Sequence, residues 1–149
     1  MLEINKSYNR EHTKDAINYR GEVFTDSHLV DEILNKILQI NPSILDSVNT
    51  VRDNSCGNGQ FLISVLQRKI DGGITHKEAL STIYGVDIDE SNVKECRERL
   101  LLENTNDKEL IEIVNHNIIC ADALDKNHKG WKYIGYMWNG KQNLDLDDF

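Results

Sequence analysis

The chain has 149 residues, 39 % of them hydrophobic and 28 % charged, which is enough for one domain that buries its own core without disulfide or metal staples. No apolar run approaches the ~18–20 residues of a membrane span, and the polar opening MLEINKSYNREHTK has no secretion-signal core, so a cytoplasmic protein is expected. The net charge of −8 argues against strong nucleic-acid binding by this chain alone, because phosphate contacts need a basic surface.

Residues 1–20 are polar and read as a segment apart; residues 21–125 carry the periodic patterns of a domain; residues 126–149 read as an extension ending in the acidic tail NLDLDDF. Leu29, Val30, Ile33, Leu34, Ile37 and Leu38 recur at helical spacing and predict a helix over Ser27–Ile40, capped by Asp26 or Ser27 and stopped by Asn41-Pro42. A first strand is predicted over Ser47–Arg52. The helix Gly59–Ile70 follows, ending at Gly72-Gly73, and then a short helix over His76–Leu80. The second strand is Ser81–Val86, with Asp87 at its carboxyl end. Asp89 or Ser91 caps a helix from Asn92 to about Asn104 with the apolar face Val93, Cys96, Leu100 and Leu101. A helical turn is expected around Lys108–Ile113 and a third strand over His116–Cys120, ending at Ala121-Asp122. Ile134–Trp138 is apolar enough for one more strand.

Strands alternating with helices predict an α/β fold with a parallel sheet and right-handed crossovers. In such sheets ligands sit off the carboxyl ends of the strands. Asp53, Asp87 and Asp122 each fall at such an end. The segment VRDNSCGNGQFL (residues 51–62) reads as strand, glycine turn and helix start. Gly57 and Gly59 allow a tight turn and close approach of a ligand, toward which the free N–H groups of the helix start would point.

Other chemistry is sparse. Cys56, Cys96 and Cys120 are scattered and odd in number, without a CxxC pair, and read as reduced structural thiols. His12, His28, His76, His116 and His128 have no metal-ligand spacing, so no metal is expected. Lys94, Arg97 and Arg99 alternate with Glu95, Glu98 and Glu103, the pattern of a solvated helix face.

Four segments together resemble the amino-terminal half of the adenine-specific, amino-methylating DNA methyltransferases of restriction–modification systems. RGEVFTDSHLVDEIL is similar to the family's Gly-x-x-Phe-Thr-Pro segment opening a helix, and DNSCGNGQFL to its S-adenosylmethionine loop, Asp-Pro-x-Cys-Gly-x-Gly-x-Phe-Leu. IYGVDIDESNV resembles the second strand with its ribose-binding acid, and IICADAL the third strand, whose Asp meets the adenine ring. The likeness covers about residues 20–125 and implies a Rossmann-like methyltransferase fold with S-adenosylmethionine as cofactor. It implies Thr25 and Asp53 near the methionine part and the backbone of Cys56, Gly57 and Gly59 making room for it. It also implies Asp87 on the ribose hydroxyls, Ile88 on the adenine and Asp122 on the adenine amine. Phe61 and Leu62 read as core residues, and Cys56 as a position that needs a small side chain.

The chain departs from the family at Asp26 and Asn54, where prolines are usual, and at Arg52, where the strand is usually apolar. The larger departure follows Asp122. The family holds its target amine with an Asn/Asp-Pro-Pro-aromatic motif whose ring stacks on a flipped base. No proline follows Pro42, and YMWNG (Tyr136–Gly140) has the residue types in the wrong order. The expectation is therefore a truncated cofactor-binding relative with no catalytic residue of its own, inactive alone or completed by a partner chain, and associating as a homodimer or with that partner. The alternative is a regulatory or anti-restriction decoy that acts through protein binding and imitates the charge of DNA.

Overall fold

The structure, a computed structural model, describes residues 25–124. Helix α1 (Ser27–Ile40) begins at the N-cap Asp26, whose carboxylate accepts a hydrogen bond from the His28 N–H at 2.8 Å. It ends at Asn41, and Pro42, with no N–H to donate, opens a 3₁₀ turn over Pro42–Leu45. Three strands follow, β1 (Val51–Asp53), β2 (Ile83–Asp87) and β3 (Ile118–Cys120), parallel and in the order β1-β2-β3. The register pairs Asp53 with Gly85 and Asp87 with Cys120. The connections carry α2 (Gln60–Asp71), α3 (His76–Leu80), α4 (Glu90–Leu100) and α5 (Lys108–Asn117). The arrangement is an α/β fold with a parallel sheet, as the alternation predicts, and Rossmann-like, as the resemblance implies.

Central position explains the composition of β2. Its first four residues, Ile83–Val86, are all buried, as expected for a strand with neighbours on both sides and helices over it. Helix α2 packs on β1 and β2, and α4 on β2 and β3. Leu62, Leu66, Ile83, Leu100 and Ile118 are fully buried between them. Gly85 is what lets α2 come this close: a Cβ there would stand 2.7 Å from Leu62 Cδ1 and 3.1 Å from Cys56 Sγ.

Several boundaries differ from the sequence expectation. The first strand starts at Val51, not Ser47. Residues 46–49 form a turn whose carbonyls face inward: Lys69 Nζ donates to Asp46 O at 3.1 Å and to Asn49 O at 2.7 Å. Val48, expected in the strand, is 81 % exposed. The second strand starts at Ile83, not Ser81, whose hydroxyl donates to Lys77 O. Helix α4 starts at Glu90 because Asp89 caps it with two backbone hydrogen bonds, and it stops at Leu100 ahead of a left-handed Leu102. The turn expected around Lys108–Ile113 is a helix running to Asn117, so His116 and Asn117 are helical and the third strand starts at Ile118. The expected strand Ile134–Trp138, the segment 1–20 and the acidic tail lie outside the described residues.

Candidate functional site

The loop after β1 is pinned to the end of β2. Cys56 N–H donates to Val86 O at 2.9 Å, and Gly57 N–H donates to Asp87 Oδ2 at 3.0 Å. Gly59 N–H closes the turn on Cys56 O at 2.9 Å. Gly57 and Gly59 are left-handed, with φ of 53° and 94°, a conformation that costs other residues free energy. At Gly59 there is a second constraint, since a Cβ would lie 2.8 Å from Cys96 Sγ. Gly59 then serves as the N-cap of α2, so the free N–H groups of that helix start sit in the same loop.

Asp87 organises the second strand end in the same way. Its Oδ1 accepts from Asp89 N–H at 2.9 Å and from Asn92 Nδ2 at 3.3 Å. A carboxylate offers about four acceptor positions, so Oδ2, which among the described residues accepts from Gly57, retains one more there. Ile88, next in the chain, is 73 % exposed, a large apolar side chain beside a polar loop. The Asp87 carbonyl accepts from Ala121 N–H at 3.0 Å and so draws the end of β3 alongside.

Electrostatics single out Asp53. Burial pushes its carboxyl above the usual range, the negative charge of Asp87 adds to that, and the Ser55 N–H, 3.0 Å from Oδ1, opposes it. A cation beside Asp53 would favour its charged form and so offset both effects. Cys56 is the reverse of a nucleophile. Its hydrogen bond with the Cys96 thiol, together with burial, holds it strongly in the protonated form. Both thiols are buried, and neither they nor the exposed Cys120 form a disulfide. Among the described residues no three His, Cys, Asp or Glu side chains gather to hold a metal ion.

Six of the sequence-selected residues thus share one end of β1 and β2: Asp53, Cys56, Gly57, Gly59, Asp87 and Ile88. Asp122 lies one strand further on, half-buried, its carboxylate accepting from Leu124 N–H at 2.9 Å. Thr25 is half-buried just before the cap of α1. Among the described residues no hydrogen bond joins either one to the glycine loop. Leu62 is fully buried, in keeping with a core role, while Phe61 is only partly buried and lines a cavity of about 370 Å³ between α1, α2 and β1. Arg52, half-buried in β1, lines the same cavity.

The basic stretch of α4 is only in part the solvated face its charge pattern predicts: Lys94, Glu98 and Glu103 are exposed, the arginines are not. Arg99 is buried, and Arg97 donates to Ile118 O at 2.9 Å through Nε. Arg99 sits at the spacing of Asn92 and Cys96, both buried; that helical spacing was the signal to follow, and the alternating charges masked it.

The sequence profile of the family described as N-6 DNA Methylase matches residues 7–138. The type I restriction enzyme MpnII methylase subunit of Mycoplasma pneumoniae is 34% identical over 104 residues, which make up 70% of this chain and 17% of that protein. This chain therefore spans less than a fifth of the length of that curated relative. No solved structure matches it significantly. Among the described residues no helix is long and apolar enough to cross a membrane.

Proposed function

Because this chain belongs to the N-6 DNA methylase family, we propose that it supplies the S-adenosylmethionine-binding half of a DNA adenine methyltransferase of restriction–modification type. The observation that carries this reading is the junction of Gly57 N–H with Asp87 Oδ2, which sets a left-handed loop and a carboxylate with an acceptor position to spare on adjacent strand ends. These residues fit the cofactor. Asp87 accepts a ribose hydroxyl on Oδ2, and the long 3.3 Å bond from Asn92 yields Oδ1 to the other hydroxyl. Ile88 covers the adenine ring and Asp122 takes its amine. The backbone of Cys56, Gly57 and Gly59 leaves room for the methionine part, with Thr25 and Asp53 beside it. Asp53 pairs with its ammonium, the cation that the site's electrostatics favour. The cofactor, when bound, supplies an electrophilic methyl group.

Transfer needs further groups, which hold the target amine and stack on the base. No proline follows Pro42, so these 149 residues contain no Asn/Asp-Pro-Pro-aromatic segment. We therefore assign no catalytic residue here and place the transfer step on residues outside this sequence. The relative from Mycoplasma pneumoniae is named a subunit, which is compatible with assembly with a partner chain. DNA contact would likewise come with that partner.

A thermal shift tests the reading. S-adenosylmethionine at a hundred times its Kd stabilises the chain by about 2.7 kcal/mol, while ATP at the same concentration leaves Tm unchanged. No shift at millimolar S-adenosylmethionine overturns it. The net charge of −8 favours a second reading, a regulatory or anti-restriction decoy that imitates DNA. Such a module needs no cofactor, so the same experiment separates the two.

A further inference from the structure

We propose that Arg99 of α4 is a positioning residue for the glycine loop and sets the affinity for the amino-acid end of the cofactor. The inference rests on the cofactor reading above. Arg99 is 6 % exposed, and its guanidinium spans the loop and the start of α2: Nη1 donates to Asn58 O at 3.0 Å and Nη2 to Gln60 Oε1 at 2.9 Å. One turn earlier on α4, Glu95 Oε1 accepts from Asn58 Nδ2 at 3.2 Å. Between them Cys96 Sγ leaves no space for a side chain on Gly59. Residues 95, 96 and 99 of one helix therefore hold residues 58, 59 and 60 of the loop.

Asn58 is itself 2 % exposed, an unusual burial for a loop asparagine. The loop is thus a clamped segment with Asp87 at one end and Arg99 at the other. The second βα unit supplies both, so the surface for the nucleoside (Asp87, Ile88) and the shape of the loop for the amino acid are set by one strand and its following helix. A planar fork suits this task. It reaches two acceptors at fixed spacing and stays charged, whereas a lysine ammonium offers neither the plane nor the spacing.

Arg99→Lys keeps the charge and loses the fork. It should weaken S-adenosylmethionine binding about tenfold, the effect of one lost charge-assisted hydrogen bond. Methylthioadenosine lacks the amino-acid end, and its affinity should change much less. Gln60→Ala removes the outer acceptor and should act in the same direction with a smaller loss, and it keeps the test available if the Arg99→Lys variant does not fold. A merely structural role would weaken both ligands alike, or neither, and that result overturns the proposal. Hydrogen exchange without ligand provides an independent arm. The Gly57 and Gly59 amides should exchange faster in both variants, while amides inside α2 keep their protection. If neither ligand binds the wild type, the cofactor reading fails and exchange alone decides: faster Gly57 and Gly59 exchange upholds Arg99 as the residue that positions the loop, and unchanged exchange overturns it.

Discussion

Asp53 illustrates how one residue can be costly to the fold and useful to the site. Its carboxyl is raised by burial first and by Asp87 second. A carboxyl whose folded pKa is raised binds its proton more tightly in the native state. Stability is therefore lost as pH climbs from the unfolded value, near 4, through the raised folded value. Asp53→Asn keeps an oxygen for the Ser55 N–H and removes the charge. The variant should be more stable than wild type at neutral pH, the difference should vanish toward pH ~3–4, and cofactor binding should fall. Urea titrations at both pH values check this; equal stability at neutral pH would contradict it. Asp53, Gly57, Gly59 and Asp87 were legible in the sequence because each sits at a strand end or a turn, where residue type and position carry the same message. Arg99 and Asn58 were not legible, because a charged residue in an alternating run and an asparagine between glycines both look solvated until a helix packs over them.

Among the elements, β1 shows how a buried charge sets a boundary. Lys69 near the end of α2 is fully buried and donates to Asp46 O, Asn49 O and Thr82 Oγ1, the last at 2.8 Å. Its ammonium is thereby fully used, although burial still lowers its pKa. The bonds tie the C-terminal turn of α2 to the entry of β1 and the start of β2. They also turn residues 46–49 out of the strand that their composition suggested. Lys69→Met preserves most of the stem but leaves the Asn49 carbonyl without a donor, while the Asp46 carbonyl keeps only the Asn49 N–H, and should cost about 2–4 kcal/mol in urea unfolding. A loss below ~1 kcal/mol would show that water can replace the ammonium there. Helices α1 and α3 were legible to the residue because local chemistry ends them: Asp26 and Pro42 for α1, and for α3 the capping box in which Thr75 and Glu78 satisfy each other's backbone N–H groups. The length of α5 was not, since its final turn is fixed by a distant contact, Asn117 Nδ2 to Leu80 O at 3.2 Å.

At the scale of the molecule, the described sheet has β1 at one edge, paired only with β2. An unpaired strand edge beside apolar surface tends to be covered by another chain or segment. The exposed Ile40 and Val48 near that end add apolar surface. We therefore expect self-association or capture of a partner; light scattering at tens of micromolar reads the first, and a clean 17.1 kDa monomer would contradict a dimer. The expected strand Ile134–Trp138, whose apolar residues would add to such a surface, lies outside the described residues. The fold class was legible because alternating strands and helices admit few topologies. The groups for methyl transfer were not legible, because these residues hold no proline after Pro42 from which a Pro-Pro-aromatic segment could be read.

The proposed S-adenosylmethionine site is the end of the β1–β2 pair, with Asp87 as the ribose acceptor. Calorimetric titration of the purified chain tests it directly. Wild type should bind one equivalent, and Asp87→Ala should bind more weakly by roughly 1–3 kcal/mol, the scale of hydrogen bonds to a charged group, with far-UV circular dichroism unchanged. No binding by wild type at millimolar cofactor, or equal affinity in the two proteins, would rule this site out.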